Sequence, residues 1–302
     1  MFGFWTFCVL FTATTAAVLN QPSQFVKING ESLPKNAFTP HLKLKPRIAN
    51  GNRAELGSFP WHASLAIKYR IDGSEMDPTF CSGTILNEKW ILTPAQCIKG
   101  AKAIRVDIGS VDINRPLISV YPDAFTLHPQ YDNSNNKFKN NLALLRLPEK
   151  SKLDFTKSEG RYAPIRLPTR RQVDETFEGM ESYFSGFGYP SIHSTNVSEH
   201  LLFAEQVIIP NTACAAYYGN DLELVTDKVI CSLSVNVRQG PCMNDAGGPL
   251  VVNEFGTHTL VGLLSFVHEK GSCGRQATPA AFTRVTKHFQ WIENVSGYQF
   301  RP

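Results

Sequence analysis

The chain has 302 residues, of which 42% are hydrophobic and 19% charged, and it carries a formal net charge of +4 with seven cysteines. This composition excludes a collagen, a disordered chain and a coiled coil, and it supplies ample apolar material for a large core. The charge and the odd cysteine count are totals over segments with different fates.

Residues 1–17 hold no charged side chain, and an apolar run is followed by small residues. This is the pattern of a secretory signal peptide cleaved near Ala16 or Ala17; the run is short for a membrane span and no basic stop follows it. Its removal takes Cys8 and leaves six cysteines, the even number that a disulfide framework in an exported chain requires. Residues 18–47 contain Lys27, Lys35, Lys43, Lys45 and Arg47 against Glu31 alone, with four prolines and no cysteine. They read as an extended pro-region. That segment holds the whole net charge, because residues 48–302 have 25 basic and 25 acidic side chains. A nucleic-acid or membrane-surface partner therefore has no electrostatic warrant, and the location expected is secreted and extracellular.

From Ile48 onward, short β-like runs alternate with Gly, Pro and Asn clusters. The runs are 62–68, 79–86, 90–93, 103–108, 117–127 and 142–147, then 181–187, 201–209, 228–233, 249–253, 259–267 and 280–285. Between the two sets lies a Pro-containing linker at 163–172. Many short strands with such punctuation predict an all-β chain, and six runs on each side of the linker predict two barrels. Helices are few: 211–218, with Asn211 as its N-cap, and 286–294, with Phe289 and Ile292 on one face. The Asn-rich stretch 133–141 reads as a surface loop. Two sequons, at Asn196 and Asn294, are candidate glycosylation sites.

The residues also carry a family pattern. In order come Arg47-Ile48-Ala49-Asn50-Gly51, Phe59-Pro60-Trp61, Cys81-Ser82-Gly83-Thr84-Ile85-Leu86 and Trp90-Ile91-Leu92-Thr93-Pro94-Ala95-Gln96-Cys97. They are followed by His128-Pro129-Gln130-Tyr131, Asn141-Leu142-Ala143-Leu144-Leu145, Ser185-Gly186-Phe187-Gly188, Cys242-Met243-Asn244-Asp245-Ala246-Gly247-Gly248-Pro249-Leu250 and Phe282-Thr283-Arg284-Val285. The sequence resembles the chymotrypsin/trypsin-like serine proteases, the S1 family, over residues 48 to about 296. The resemblance implies two six-stranded antiparallel β-barrels with a short C-terminal helix and a cleft between the barrels. Within a domain at 48–302, the first barrel covers about 48–162, and the second barrel with the helix covers 173–297. Six cysteines allow 15 connectivities; the resemblance implies Cys81–Cys97, Cys214–Cys231 and Cys242–Cys273.

In this family a serine attacks the scissile carbonyl, a histidine takes its proton and a buried carboxylate orients the histidine. Aligned by motif, those positions hold Ala246, Gln96 and Asn141. The oxyanion-hole position holds Asn244. The specificity-pocket positions hold Gly240, Ser265, Val267 and Ala280, with Phe266 beside them and Met243 at the rim. A pocket floored by Gly240 offers no carboxylate to a basic residue, and Val267 is expected to narrow it. None of the remaining serines and histidines is expected to bring a base and a nucleophile together with an orienting group. Gln96 and Asn141 are expected to bond amide to amide. The loop at 112–122 has one acidic residue, so no calcium, no other metal and no cofactor is expected.

The activation elements are present: the Arg47–Ile48 junction, cut by a trypsin-like protease in the family, and Asp245, the partner of the freed amine. The expectation from sequence is a secreted protein without enzymatic activity. It would bind and regulate an extracellular protease, zymogen, inhibitor or other protein through loops at 69–78, 132–140, 190–200 and 268–278. The alternative is a weak or unconventional serine endopeptidase of the same family.

Overall fold

A computed structural model describes residues 25–28, 31–34, 51–71, 74–75, 78–268, 273 and 278–302. The chain divides into a unit at Met1–Pro40 and a larger unit at His41–Pro302. In the first, strands β1 (Phe25–Ile28) and β2 (Glu31–Pro34) pair antiparallel, Phe25 opposite Pro34. Arg47 and Ile48 lie outside the described residues.

In the larger unit, β3 (Asn52–Arg53) is followed by β4 (His62–Lys68), the small hairpin β5 (Arg70–Ile71) and β6 (Ser74–Glu75), β7 (Thr79–Ile85), β8 (Trp90–Thr93) and helix α1 (Ala95–Ile98). Next come β9 (Ala103–Ile108), β10 (Ile118–Val120), β11 (Ala124–Leu127) and β12 (Ala143–Arg146). The second half holds β13 (Glu181–Gly186), β14 (Leu202–Ile209), α2 (Asn211–Tyr217), β15 (Val229–Ser234), β16 (Pro249–Glu254), β17 (Thr257–Val267), β18 (Ala280–Arg284) and α3 (Phe289–Ser296). The fold is all-β with few short helices. No helix among the described residues is long and apolar enough to cross a membrane.

The two sheets close differently. The second runs β13-β16-β17-β18-β15-β14, and a further β13–β14 pairing joins its ends into a six-stranded barrel, with β3 added on β14. The first runs β10-β9-β4-β7-β8-β12-β11 and is a curled half-barrel. The run expected at 117–127 is two strands because Pro122 lies inside it, and a proline cannot donate to a ladder. Each sheet encloses its own apolar core. Leu65, Ile67, Ile85, Ile91 and Val106 fill the first; Phe184, Ile208, Ile230, Val261 and Phe282 fill the second. A third cluster, with Trp61, Leu92, Leu144, Leu263 and Ile292, packs the halves and α3 together.

Helix α2 begins one residue earlier than a cap at Asn211 requires. Pro210 is the cap residue, and the Asn211 amide instead donates to the carbonyls of Thr226 and Val229, at 2.7 and 2.9 Å. The C-terminal helix starts with a 3-10 turn over Val285–His288 and ends on Gly297 at φ 69°, the left-handed conformation that favours glycine at a helix end. The cysteines pair as Cys81–Cys97, Cys214–Cys231 and Cys242–Cys273. The first two close loops of 16 and 17 residues, each worth about 3 kcal/mol against the unfolded chain.

Candidate functional site

Gln96 lies on α1, one turn of helix entered directly from β8. Asn141 precedes β12 and is fully buried. Ser265 lies where the register between β17 and β18 shifts: Leu264 pairs with Phe282 and Phe266 with Ala281. Such a bulge turns a side chain out of the ladder direction, and the Ser265 hydroxyl meets Asn141.

The bonds among these residues fix the orientation of the Asn141 amide. The Gln96 backbone N–H donates to Asn141 Oδ1 at 3.0 Å, and Asn141 Nδ2 donates to Ser265 Oγ at 2.8 Å. Gln96 Nε2 donates to the Ser265 carbonyl at 2.8 Å, and Thr283 Oγ1 donates to the Asn141 carbonyl at 3.0 Å. The side-chain amides of Gln96 and Asn141 therefore do not bond to each other as expected. The backbone of Gln96 occupies Asn141 Oδ1, and its side chain turns to the strand carrying Ser265. The cluster is neutral throughout.

Ala246 sits beside this cluster and is partly buried. Its carbonyl accepts from the Ser82 N–H at 2.7 Å. Gly247, at φ 87°, brings the backbone so close to β7 that an added Cβ would sit 1.9 Å from the Ser82 carbonyl oxygen. Asn244 holds φ 67°, a left-handed conformation that asparagine tolerates better than most residues. Among the described residues, neither the Asn244 nor the Ala246 N–H finds a backbone or side-chain acceptor. With the Met243 N–H, these are the unpaired backbone donors of the loop at 242–248 among the described residues.

Asp245 stands behind that loop and is 1% exposed. Its carboxylate accepts from the N–H groups of Gly188 (2.7 Å) and Cys242 (2.8 Å). Gly186 and Gly188 leave the space it fills, since a Cβ on either would collide with the carboxylate. Burial pushes its pKa up to about 7, against the pull of the two N–H donors.

Gly240 is buried, and Val267 is paired directly with Ala280 across β17 and β18, both packed into the second core. Met243 is exposed. Phe266 stacks on Phe138 with ring centroids 5.9 Å apart, and Tyr218 meets Phe266 edge-on at 5.4 Å. This aromatic platform joins the 132–140 loop to the second barrel. Composition and motif order gave no signal for it, because Phe138 lies in the Asn-rich stretch. The sequon residues Asn196 and Asn294 are both exposed.

One constellation went unread in the sequence. His62 sits between Ser82 Oγ, 3.2 Å from Nε2, and Ser185 Oγ, 3.0 Å from Nδ1. The expectation was that no base and nucleophile would meet together with a third orienting group; β4, β7 and β13 bring His62 between two serines, and no carboxylate among the described residues bonds to it. All three are buried, and burial drives the His62 pKa down to about 3. The imidazole is neutral and has a hydroxyl on each nitrogen, but an extended peptide has no path to it. Strand alternation places His62 with Ser64 on the face opposite the core residues Ala63, Leu65 and Ile67, so the pattern gave no sign that it would be buried.

The family model described as Trypsin matches residues 48–292. A collagenase of Hypoderma lineatum is 28% identical over 84% of this chain and 89% of its own length. Vitamin K-dependent protein C of Rattus norvegicus is 30% identical over 85% of this chain, which spans about half, 53%, of that protein. The solved structure of HL collagenase at 1.7 Å superposes with a TM-score of 0.72 at 28% identity, covering 84% of this chain and all of that one. The expectation that this chain is not an enzyme is overturned by these likenesses: a protein bearing the name of a collagenase shares its fold and more than a quarter of its residues.

Proposed function

This chain belongs to the trypsin family of serine proteases, and on that premise we propose that it is a secreted, weak and unconventional endopeptidase whose cleft also engages other extracellular proteins. The observation that carries the reading is the nucleophile loop. Asp245, Gly247 and the left-handed Asn244 hold it in a defined shape, with the N–H groups of Asn244 and Ala246 unspent. Two such donors can stabilise an oxyanion as a peptide carbonyl is attacked.

Ala246 has no hydroxyl, so no acyl-enzyme forms on it. Water adds directly to the carbonyl carbon and gives up a proton to solvent, the C–N bond breaks and the amine leaves with a proton from solvent. Gln96 can orient that water but cannot take its proton. In proteases of this class, the oxyanion donors and substrate binding without a working triad retain roughly 10³ to 10⁴-fold acceleration over water. The test is slow cleavage of a denatured protein such as casein by protein that a fluorophosphonate does not label. Cleavage indistinguishable from blank would overturn the hydrolytic reading, and labelling would relocate it to a serine.

The aromatic platform of Phe138, Phe266 and Tyr218 favours the second part of the proposal, engagement of a protease, zymogen or inhibitor at the cleft. Crosslinking and pull-down from the secreted fluid, before and after cleavage at Arg47, tests it. Recovery of no stoichiometric partner in either state would sink it. We also read Arg47, Ile48 and Asp245 as a retained activation switch, in which the amine freed at Ile48 pairs with the buried carboxylate. Amino-terminal sequencing of the secreted protein tests that: every active preparation beginning before Lys43 would rule it out.

A further inference from the structure

A cavity of about 210 Å³ lies behind the Gln96–Asn141 cluster. The loop before Asn141 forms one wall, the segment after α2 another, and Ser265 and Thr283 form its floor. Nothing said so far assigns it a role, and its content does not depend on whether the cleft hydrolyses peptides.

Its polar wall can be read donor by donor. The Gln96 backbone N–H can only donate, so the Asn141 atom it meets is Oδ1, and the atom facing Ser265 is Nδ2. Nδ2 can only donate, so Ser265 Oγ accepts in that bond. The hydroxyl proton of Ser265 is therefore free to be given elsewhere, and Ser265 lines the cavity. The Thr283 hydroxyl proton, by contrast, is spent on the Asn141 carbonyl.

The charges along the wall do not cancel. Lys137 pairs with Glu223, and Asp227 lies 3.9 Å from Lys287. Lys228 gives one of its protons to the neutral Asn140 Oδ1 at 2.8 Å, and no carboxylate among the described residues lies within ion-pair distance of it. Lys139, exposed at the edge, likewise has no such ion pair among them. Behind the floor stands Asn141, an amide with no charge to oppose either ammonium.

We propose that this cavity binds a small carboxylate, with the Lys228 ammonium and the Ser265 hydroxyl as its donors. Its volume lies below the range usual for drug-sized ligands, which limits the occupant to something of acetate size or to the end of an acidic side chain. The proposal makes Asn141 a gate on the chemistry of the wall. An aspartate there would take the Ser265 proton for itself and place a negative charge against the bound anion.

The experiment uses the purified secreted protein and sodium acetate, compared with sodium chloride at equal ionic strength. Thermal unfolding and titration calorimetry read the binding. Acetate should raise Tm saturably where chloride does not. Lys228→Gln and Ser265→Ala should each weaken the dissociation constant roughly tenfold, the scale of one hydrogen bond to a charged group. Asn141→Asp should abolish the acetate effect. A non-saturable effect shared with chloride marks an adventitious ion only and overturns the proposal. So does an acetate affinity unchanged in both Lys228→Gln and Ser265→Ala, which remains a clear result even where Asn141→Asp fails to fold.

Discussion

Two polar clusters lie between the halves of this molecule, and they divide between them what a working protease keeps in one place. Gln96, Asn141 and Ser265 lie beside the cleft, are linked to one another by hydrogen bonds and hold no titratable group. His62, Ser82 and Ser185 hold a base between two hydroxyls and are sealed in the interior. Access and basicity have been separated. The comparison teaches that a serine beside a histidine is a chemical site only where a carbonyl can reach it. Otherwise it is a way of satisfying a buried imidazole.

The largest expected effect falls where the buried cluster meets the loop at 242–248. Ser82 carries the hydroxyl that meets His62, and its carbonyl lies against Gly247 in the nucleophile loop. Gly247→Ala would place a Cβ 1.9 Å from that carbonyl at a φ of 87°. Neither atom is the movable end of a side chain, so the loop and β7 must part. A loss of about 4 kcal/mol or more is expected, read as a fall in the urea midpoint. A variant within about 1 kcal/mol of the parent would mean that the buried cluster and the loop at 242–248 are not mechanically joined.

Titration sharpens the comparison next, because two buried groups oppose each other in sign. His62 has a folded pKa of about 3 against 6.5 for a free imidazole. The unfolded chain takes up a proton that the folded chain refuses, so stability is full above about pH 6.5 and is lost as pH falls toward 3. Asp245 has a folded pKa of about 7 against 3.8. Here the folded chain keeps a proton that the unfolded chain has lost, so stability is full below pH 3.8 and is lost as pH rises through 7. Each group contributes a slope of up to roughly 1.4 kcal/mol per pH unit over its own range. Between about pH 4 and 6.5 the two slopes oppose each other, so the Asp245 loss in the chain left intact at Arg47 is read as the difference in unfolding free energy between the parent and an Asp245→Asn variant across that range. After cleavage, an Ile48 amine paired with Asp245 would keep the carboxylate ionised and remove that loss. The same pH dependence before and after cleavage would remove the switch from this protein.

Much of the fold was legible because strand runs and turn residues repeat along the whole chain. The twelve runs expected from 62 to 285 all contain strand. The errors fell where one residue changes the hydrogen-bond supply: Pro122 splits a run, and Pro210 takes the cap position from Asn211. The site was legible as positions and not as bonds. Motif order pointed to Gln96, Asn141 and Ala246 as site positions, yet only coordinates show the Gln96 side chain turning to the Ser265 carbonyl instead of to Asn141. His62, Ser82 and Ser185 are separated by 20 and 103 residues along the chain, and no local pattern joins them. The expectation of no enzymatic activity came from three side chains alone. The family frame and its collagenase relative outweigh it.

The smallest effect is the one that separates the clusters most cleanly. His62→Ala removes an imidazole that is 6% exposed and leaves the hydroxyls of Ser82 and Ser185 each short of a partner in the interior. Cavity and lost hydrogen bonds together should cost about 3 kcal/mol. Gln96→Ala deletes a single side-chain bond, from Nε2 to the Ser265 carbonyl, and keeps the backbone bond to Asn141. Gln96 is only partly buried, so water can reach the freed carbonyl and replace the lost donor. The cost expected is about 1 kcal/mol or less. If the two alanine variants prove equally destabilised in urea, then Gln96 is as much a structural keystone as His62. The cleft-facing cluster would then be built for the fold and not for what enters the cleft.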